Sequence, residues 1–192
     1  MTGRRMFVAV VPPDHVVEEL ADFLEPREGM PWIATEQWHL TLAFMGSVPE
    51  HRVEDLADRL AERLGRREAF EARLGGAGCF PSPERASVLW LGVDPAAGEW
   101  LGALATNARN VAASLGAAPD GRAFVPHLTL ARLRRPIEAT RWLRVLDAFT
   151  SSAWPVEEVV LVESHLREGA HRRPRHETVA RLPLAERTGP SR

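Results

Sequence analysis

The chain has 192 residues, 45% hydrophobic and 26% charged, enough to bury a core without covalent or metal staples. Its formal net charge of −2 provides no global positive field of the kind that gathers nucleic acid. All 24 basic residues are Arg and the single Cys is Cys79, which excludes an internal disulfide, a Cys-rich zinc cluster, a lysine Schiff base, a Walker-type phosphate loop and a lysyl-adenylate ligase.

The elements follow in chain order. Residues 4–11 (RRMFVAVV) form an apolar run predicted as a buried strand, ending at Pro12-Pro13-Asp14. The run passes directly into that turn with no small-residue cleavage site, so it is not expected to be a signal peptide. A helix follows, with Val16, Val17, Leu20, Phe23 and Leu24 on one face. Residues 37–45 are predicted as a strand. Ser47 and Glu50 have capping-box spacing ahead of a helix carrying Val53, Leu56, Ala57, Leu60, Ala61 and Leu64. Residues 69–80 are predicted as a strand broken by Gly75, Gly76 and Gly78, and residues 87–93 as its partner. A long helix carries Trp100, Leu101, Leu104, Ala108, Val111, Ala112 and Leu115. A strand near 124–133, an amphipathic stretch over 137–149 and strands at 156–163 and 177–182 complete the order. Strands and helices alternate with hairpin-like pairs, which points to an α+β fold. Residues 1–184 are expected to form a single domain, with 185–192 as a disordered tail. No apolar run approaches a membrane span, and one Cys suits a reducing compartment, so a cytoplasmic protein is expected.

One tetrapeptide occurs twice: His39-Leu40-Thr41-Leu42 and His127-Leu128-Thr129-Leu130. Side chains alternate faces along a strand, so each His shares a face with its Thr while the leucines point to a core. Each copy is preceded by a strand and a helix and followed by a helix, which suggests two related halves. An approximate two-fold axis would bring both His-Thr faces to one cleft. Two imidazoles can then divide the work of proton removal and proton delivery near neutral pH. Two hydroxyls can donate to the non-bridging oxygens of a phosphoryl group. A phosphodiester, above all a strained cyclic one, matches that inventory. A zinc centre lacks an assignable third strong ligand. A Ser-His-Asp hydrolase lacks the GxSxG elbow. The identical motifs do not distinguish which His is acid and which is base.

These motifs, with RRMFVAVVPP, WHLTLAFMG, RAFVPHLTLAR and LVESHL, resemble the 2H phosphoesterases over residues 4–184. Within them the chain is similar to the RNA 2′,3′-cyclic phosphodiesterases historically called 2′-5′ RNA ligases. The resemblance implies two pseudo-symmetric lobes, each an antiparallel sheet with helices outside, around a central cleft. It implies a metal-independent, cofactor-free hydrolase that opens a terminal 2′,3′-cyclic phosphate to a 2′-phosphomonoester. RNA ends or cyclic nucleotides would be its substrates, and the same chemistry run with a 5′-hydroxyl would be a reversible 2′-5′ ligation. His39 would be the proton donor and His127 the acceptor, with Thr41 and Thr129 on the phosphate. The run RxFxPHxTxxR makes Arg122 and Arg132 candidate substrate contacts. Many relatives carry Tyr where this chain has His176, within Arg173-Pro174-Arg175-His176-Glu177.

Other residues stay open on the sequence alone. Strict strand alternation puts Arg132 on the face opposite His127 unless the strand bulges. Arg134, Arg135 and the run 167–175 are local basic patches that suit RNA phosphates or a solvated loop equally. Trp38 is expected in the core, and Trp32 is open to base stacking. His15, His51, His165, His171 and His176 lack a partner motif and are expected at the surface or in structural roles, His165 being the one that could approach the cleft. Two alternatives remain beside the hydrolase: a non-catalytic module that binds RNA ends, and a 2H enzyme acting on a small non-RNA cyclic phosphate.

Overall fold

The computed structural model describes residues 3–119, 121, 123–166 and 174–187. Arg122 and residues 167–173, most of the second basic run, therefore lie outside the described residues, as do 188–192 of the expected tail.

The strands are β1 (Arg4–Val10), β2 (Leu40–Val48), β3 (Phe70–Ala72), β4 (Leu74–Phe80), β5 (Ala86–Val93), β6 (Leu128–Ile137), β7 (Trp154–Val156), β8 (Glu158–His165) and β9 (Arg175–Pro183). The helices are α1 (Asp14–Leu24), α2 (Val53–Leu64), α3 (Pro95–Ser114) and α4 (Thr140–Leu146). Seven strands form one antiparallel sheet in the order β4-β5-β6-β2-β1-β8-β9, and β3 pairs with β7 in a second, two-stranded sheet. The two lobes meet where β2 and β6 touch, at the single residue pair Leu40–Leu128.

The strand order makes the internal repeat explicit. β1-α1-β2-α2-β3-β4 is followed by β5-α3-β6-α4-β7-β8, and β9 is added at the end. Each half gives its last long strand to the other lobe: β4 pairs with β5, and β8 with β1. The approximate two-fold axis runs between β2 and β6, so the lobes are β2-β1-β8-β9 and β6-β5-β4. The exchange interlocks the halves, so neither lobe is built from one half of the chain.

Apolar periodicity places the core on one face of the sheet. Leu40, Leu42, Leu89, Leu91, Leu128 and Leu130 are buried with Val16, Leu20, Leu56, Leu60, Leu101, Leu104, Leu146 and the alanine face of α3. Burial of such a face is the main stabilising term. A smaller apolar patch of Phe7, Ala9, Val160 and Val162, with Phe44 beside it, lies on the opposite face. The helices thus cover one side of the sheet and leave the other open.

Several boundaries differ from the sequence expectation. Ser47 does not cap a helix: it remains in β2, whose end pairs Val48 with Arg4, and α2 starts only at Val53 with no side-chain cap. The stretch expected over 69–80 divides into β3 and β4, and these join different sheets. The amphipathic stretch over 137–149 contains only the short α4, because Ile137 closes β6 opposite Ala86. α3 begins five residues before Trp100, where the Asp94 carboxylate accepts from the Ala97 amide at 3.0 Å. Ala185, assigned to the tail, is held by backbone hydrogen bonds to Arg67 and Ala69. No helix among the described residues is long and apolar enough to cross a membrane.

Candidate active site

The two HLTL motifs stand where β2 and β6 begin to pair. His39 and His127 each occupy the residue just before the strand. Because Leu40 lies across from Leu128 and both point into the core, His39, Thr41, His127 and Thr129 all project from the open face. The first alternation rule of the sequence reading therefore holds in both lobes.

Beyond Thr41 and Thr129 the alternation breaks twice in the same way. Ala9 pairs with Thr41 but Val8 pairs with Ala43, so Leu42 is an extra residue in β2. Trp90 pairs with Thr129 but Leu89 pairs with Ala131, so Leu130 is an extra residue in β6. Each HLTL ends in a β-bulge, which reverses the facing of everything after it. Arg132, opposite Val88, consequently lies on the same face as His127 and not on the other side, as strict alternation would have it. The equivalent residue in the first lobe is Phe44, opposite Phe7.

Both imidazoles are held by the same device. His39 Nδ1 lies 2.7 Å from the Gln37 carbonyl, and His127 Nδ1 lies 2.7 Å from the Val125 carbonyl. A carbonyl can only accept, so the proton sits on Nδ1 and Nε2 is left free on each ring. The surroundings of the rings differ. His39 is stacked on Phe7, with ring centroids 4.6 Å apart and an interplanar angle of 22°. His127 meets the edge of Phe80 at 5.1 Å and the tilted ring of Trp90 at 5.7 Å.

Electrostatics link the two rings. Burial pushes His39 down to about 4, and the charges of His176, Arg132 and His127 act in the same direction against the pull of its Gln37 hydrogen bond. Burial and Arg132 also depress His127. Arg132 is exposed by area, yet the walls around it desolvate its guanidinium and lower its own proton affinity. His39, His127 and Arg132 therefore share one electrostatic environment. Among the described residues the hydroxyls of Thr41 and Thr129 have no hydrogen-bond partner, so both can donate to a ligand.

Other sequence candidates fall elsewhere. His165 turns to the opposite face, 3.3 Å from Glu177 and 4.0 Å from Glu163. His176, expected to be a surface or structural residue, instead lies against His39 and Phe7 at 5.4 and 5.0 Å. Trp32 packs edge-on to Trp142 and donates its indole N–H to the Arg27 carbonyl, and Trp38 is buried. Trp90 forms the wall behind His127. Among the described residues no group of three or more His, Cys, Asp and Glu is placed to hold a metal ion.

Comparison with known proteins places the chain among relatives of one family. The chain is 35% identical over 173 residues to an RNA 2′,3′-cyclic phosphodiesterase of Thermus thermophilus, covering 85% of this chain and 83% of that protein. It is 32% identical over 156 residues to a protein of the same name from Geobacillus stearothermophilus, covering 80% of this chain but only 47% of that protein. A match to the Aeropyrum pernix protein of that name likewise spans 58% of its length, at 38% identity over 105 residues and 55% of this chain. The crystal structure of E. coli LigT complexed with 3′-AMP superposes with a TM-score of 0.75 at 30% identity, over 95% of this chain and 98% of that one. Residues 12–168, which hold both HLTL motifs and both bulges, match the model of one family, and the chain belongs to the 2′-5′ RNA ligase superfamily.

Proposed function

We propose that the protein hydrolyses RNA 2′,3′-cyclic phosphate ends to 2′-phosphomonoesters by general acid–base catalysis with two histidines and no metal. The observation that carries this reading is the pair of imidazoles on one sheet face, each with Nε2 free because Nδ1 is bound to a backbone carbonyl. The names of the relatives support the substrate class.

In this mechanism His127 Nε2 removes a proton from water as the water attacks phosphorus. The P–O3′ bond breaks, and His39 delivers its Nε2 proton to O3′, leaving the phosphate on O2′. Burial favours the neutral form of His39, and the negative phosphodiester, once bound, favours the imidazolium form needed for donation. The Thr41 and Thr129 hydroxyls donate to the non-bridging oxygens. Arg132 offsets the charge that grows on them in the transition state. A 5′-hydroxyl in place of water, through the same proton transfers, joins two ends by a 2′-5′ linkage. That route consumes no ATP and needs no lysine.

The test is a product-resolved assay in EDTA. A 2′,3′-cyclic mononucleotide and an oligonucleotide with the same end are incubated with the protein, and 2′- and 3′-phosphates are separated by chromatography. The expected product is the 2′-phosphate. Binding without turnover, or release of the 3′-phosphate, overturns the proposal, the first in favour of an RNA-end binding module.

A further inference from the structure

The two histidines share their own hydrogen-bond geometry but not their walls. Behind His127 stand Phe80 and Trp90, neither of which titrates. Beside His39 stands a third imidazole. His176 is nearly perpendicular to the stacked pair, at 78° to His39 and 73° to Phe7. The placement is anchored at both ends by one residue. Gln37 accepts the His39 Nδ1 proton through its carbonyl, and its side-chain amide donates to the Pro174 carbonyl at 2.8 Å, two residues before His176. The register of β9 does the rest: His176 lies across from Ser164, on the face that Val162 shares with Phe7.

We propose that His176 is a positioning residue for His39, walling in its ring when neutral and opposing its protonation when charged. The role in turnover rests on the reading of His39 as an acid–base group, whereas the coupling between the rings does not.

The charges around this pair are one-sided. Arg5 on β1 acts on His176, and Arg132 on β6 and His127 act on His39. Ser164 on β8, opposite His176, is uncharged. Glu163 and His165 on β8, and Arg175 and Glu177 on β9, pair with one another on the other face of the sheet. Among the described residues, then, no carboxylate stands between the two imidazoles to offset a double positive charge. Burial depresses both rings, and whichever ring takes a proton makes the other harder to charge.

The experiment follows the ring protons of each histidine by NMR across pH in the substrate-free protein, comparing the native chain with His176→Phe. Phe keeps an aromatic wall and its burial but cannot carry charge. The His39 midpoint should rise by about one pH unit, roughly a ten-fold gain in proton affinity, while that of His127 moves by less than about 0.3. An unmoved His39, or equal movement of both rings, overturns the proposal. His176→Gln repeats the comparison if the Phe variant does not fold. In the pH–rate profile the limb that belongs to His39 should move upward by the same amount. The NMR result needs no turnover, so absence of hydrolysis would sink the proposed function and still leave this coupling to be decided.

Discussion

Gly78 offers a sharp test of how the His127 wall is built. It pairs with Trp90 across β4 and β5, and the indole lies over its bare Cα. A Cβ at position 78 would meet the Trp90 ring atoms Cζ2, Cη2 and Cε2 at 2.1, 2.2 and 2.5 Å. Carbon contacts settle near 3.5–4.0 Å, so in Gly78→Ala the rigid ring must lift by about 1.5 Å. The ring is hemmed in by Phe80 at 5.4 Å and His127 at 5.7 Å, so the displacement is passed to His127. Overpacking of this kind costs about 1–3 kcal/mol. For a chain of this size that lowers Tm by roughly 2–12 °C. An imidazole shifted by about 1 Å should lose on the order of 100-fold in kcat/KM. Thermal unfolding and cyclic phosphate hydrolysis read the two effects separately. Adding Trp90→Leu removes the obstructing ring and should recover much of the lost stability, giving a coupling energy in the double-mutant cycle. A Gly78→Ala variant with native Tm and native turnover would refute this account of the wall.

Two further outcomes follow. His39 titrates near 4 in the fold against 6.5 in a free chain, so between those values the unfolded chain binds a proton that the folded one refuses. Its contribution to stability is complete above pH 6.5 and lost as pH falls toward 4, a total of about 3 kcal/mol that urea titrations should find missing from His39→Gln; an equal pH slope in both proteins contradicts the buried neutral ring. Arg132→Gln should lower kcat/KM by roughly 10- to 100-fold while Tm stays native, and an unchanged rate would remove Arg132 from the site.

The candidate site was legible in outline because identical tetrapeptides carry their own symmetry, and alternation alone put each His with its Thr. The sequence did not disclose the facing of Arg132, since the bulge at Leu130 is a feature of pairing between β5 and β6 and has no residue signature of its own. His176 was hidden for a related reason. Its neighbours Phe7 and His39 lie far away in the chain and meet it only through the strand order β2-β1-β8-β9. The capping pattern of Ser47 and Glu50 was a sound local signal that lost to pairing of the end of β2 with β1. Exchange of the last strand between halves was also beyond reach of local patterns, although the repeated order of elements pointed to related halves.

The central claim is that His39 and His127 act together on one phosphorus. Turnover of a 2′,3′-cyclic nucleotide by His39→Ala, His127→Ala and the double variant, each checked for native Tm, tests it most directly. Groups that work as a unit are not additive: each single variant should lose nearly all activity, about 1000-fold or more, and the double variant little beyond that. Substantial turnover in either single variant, or losses that multiply in the double variant, would contradict it.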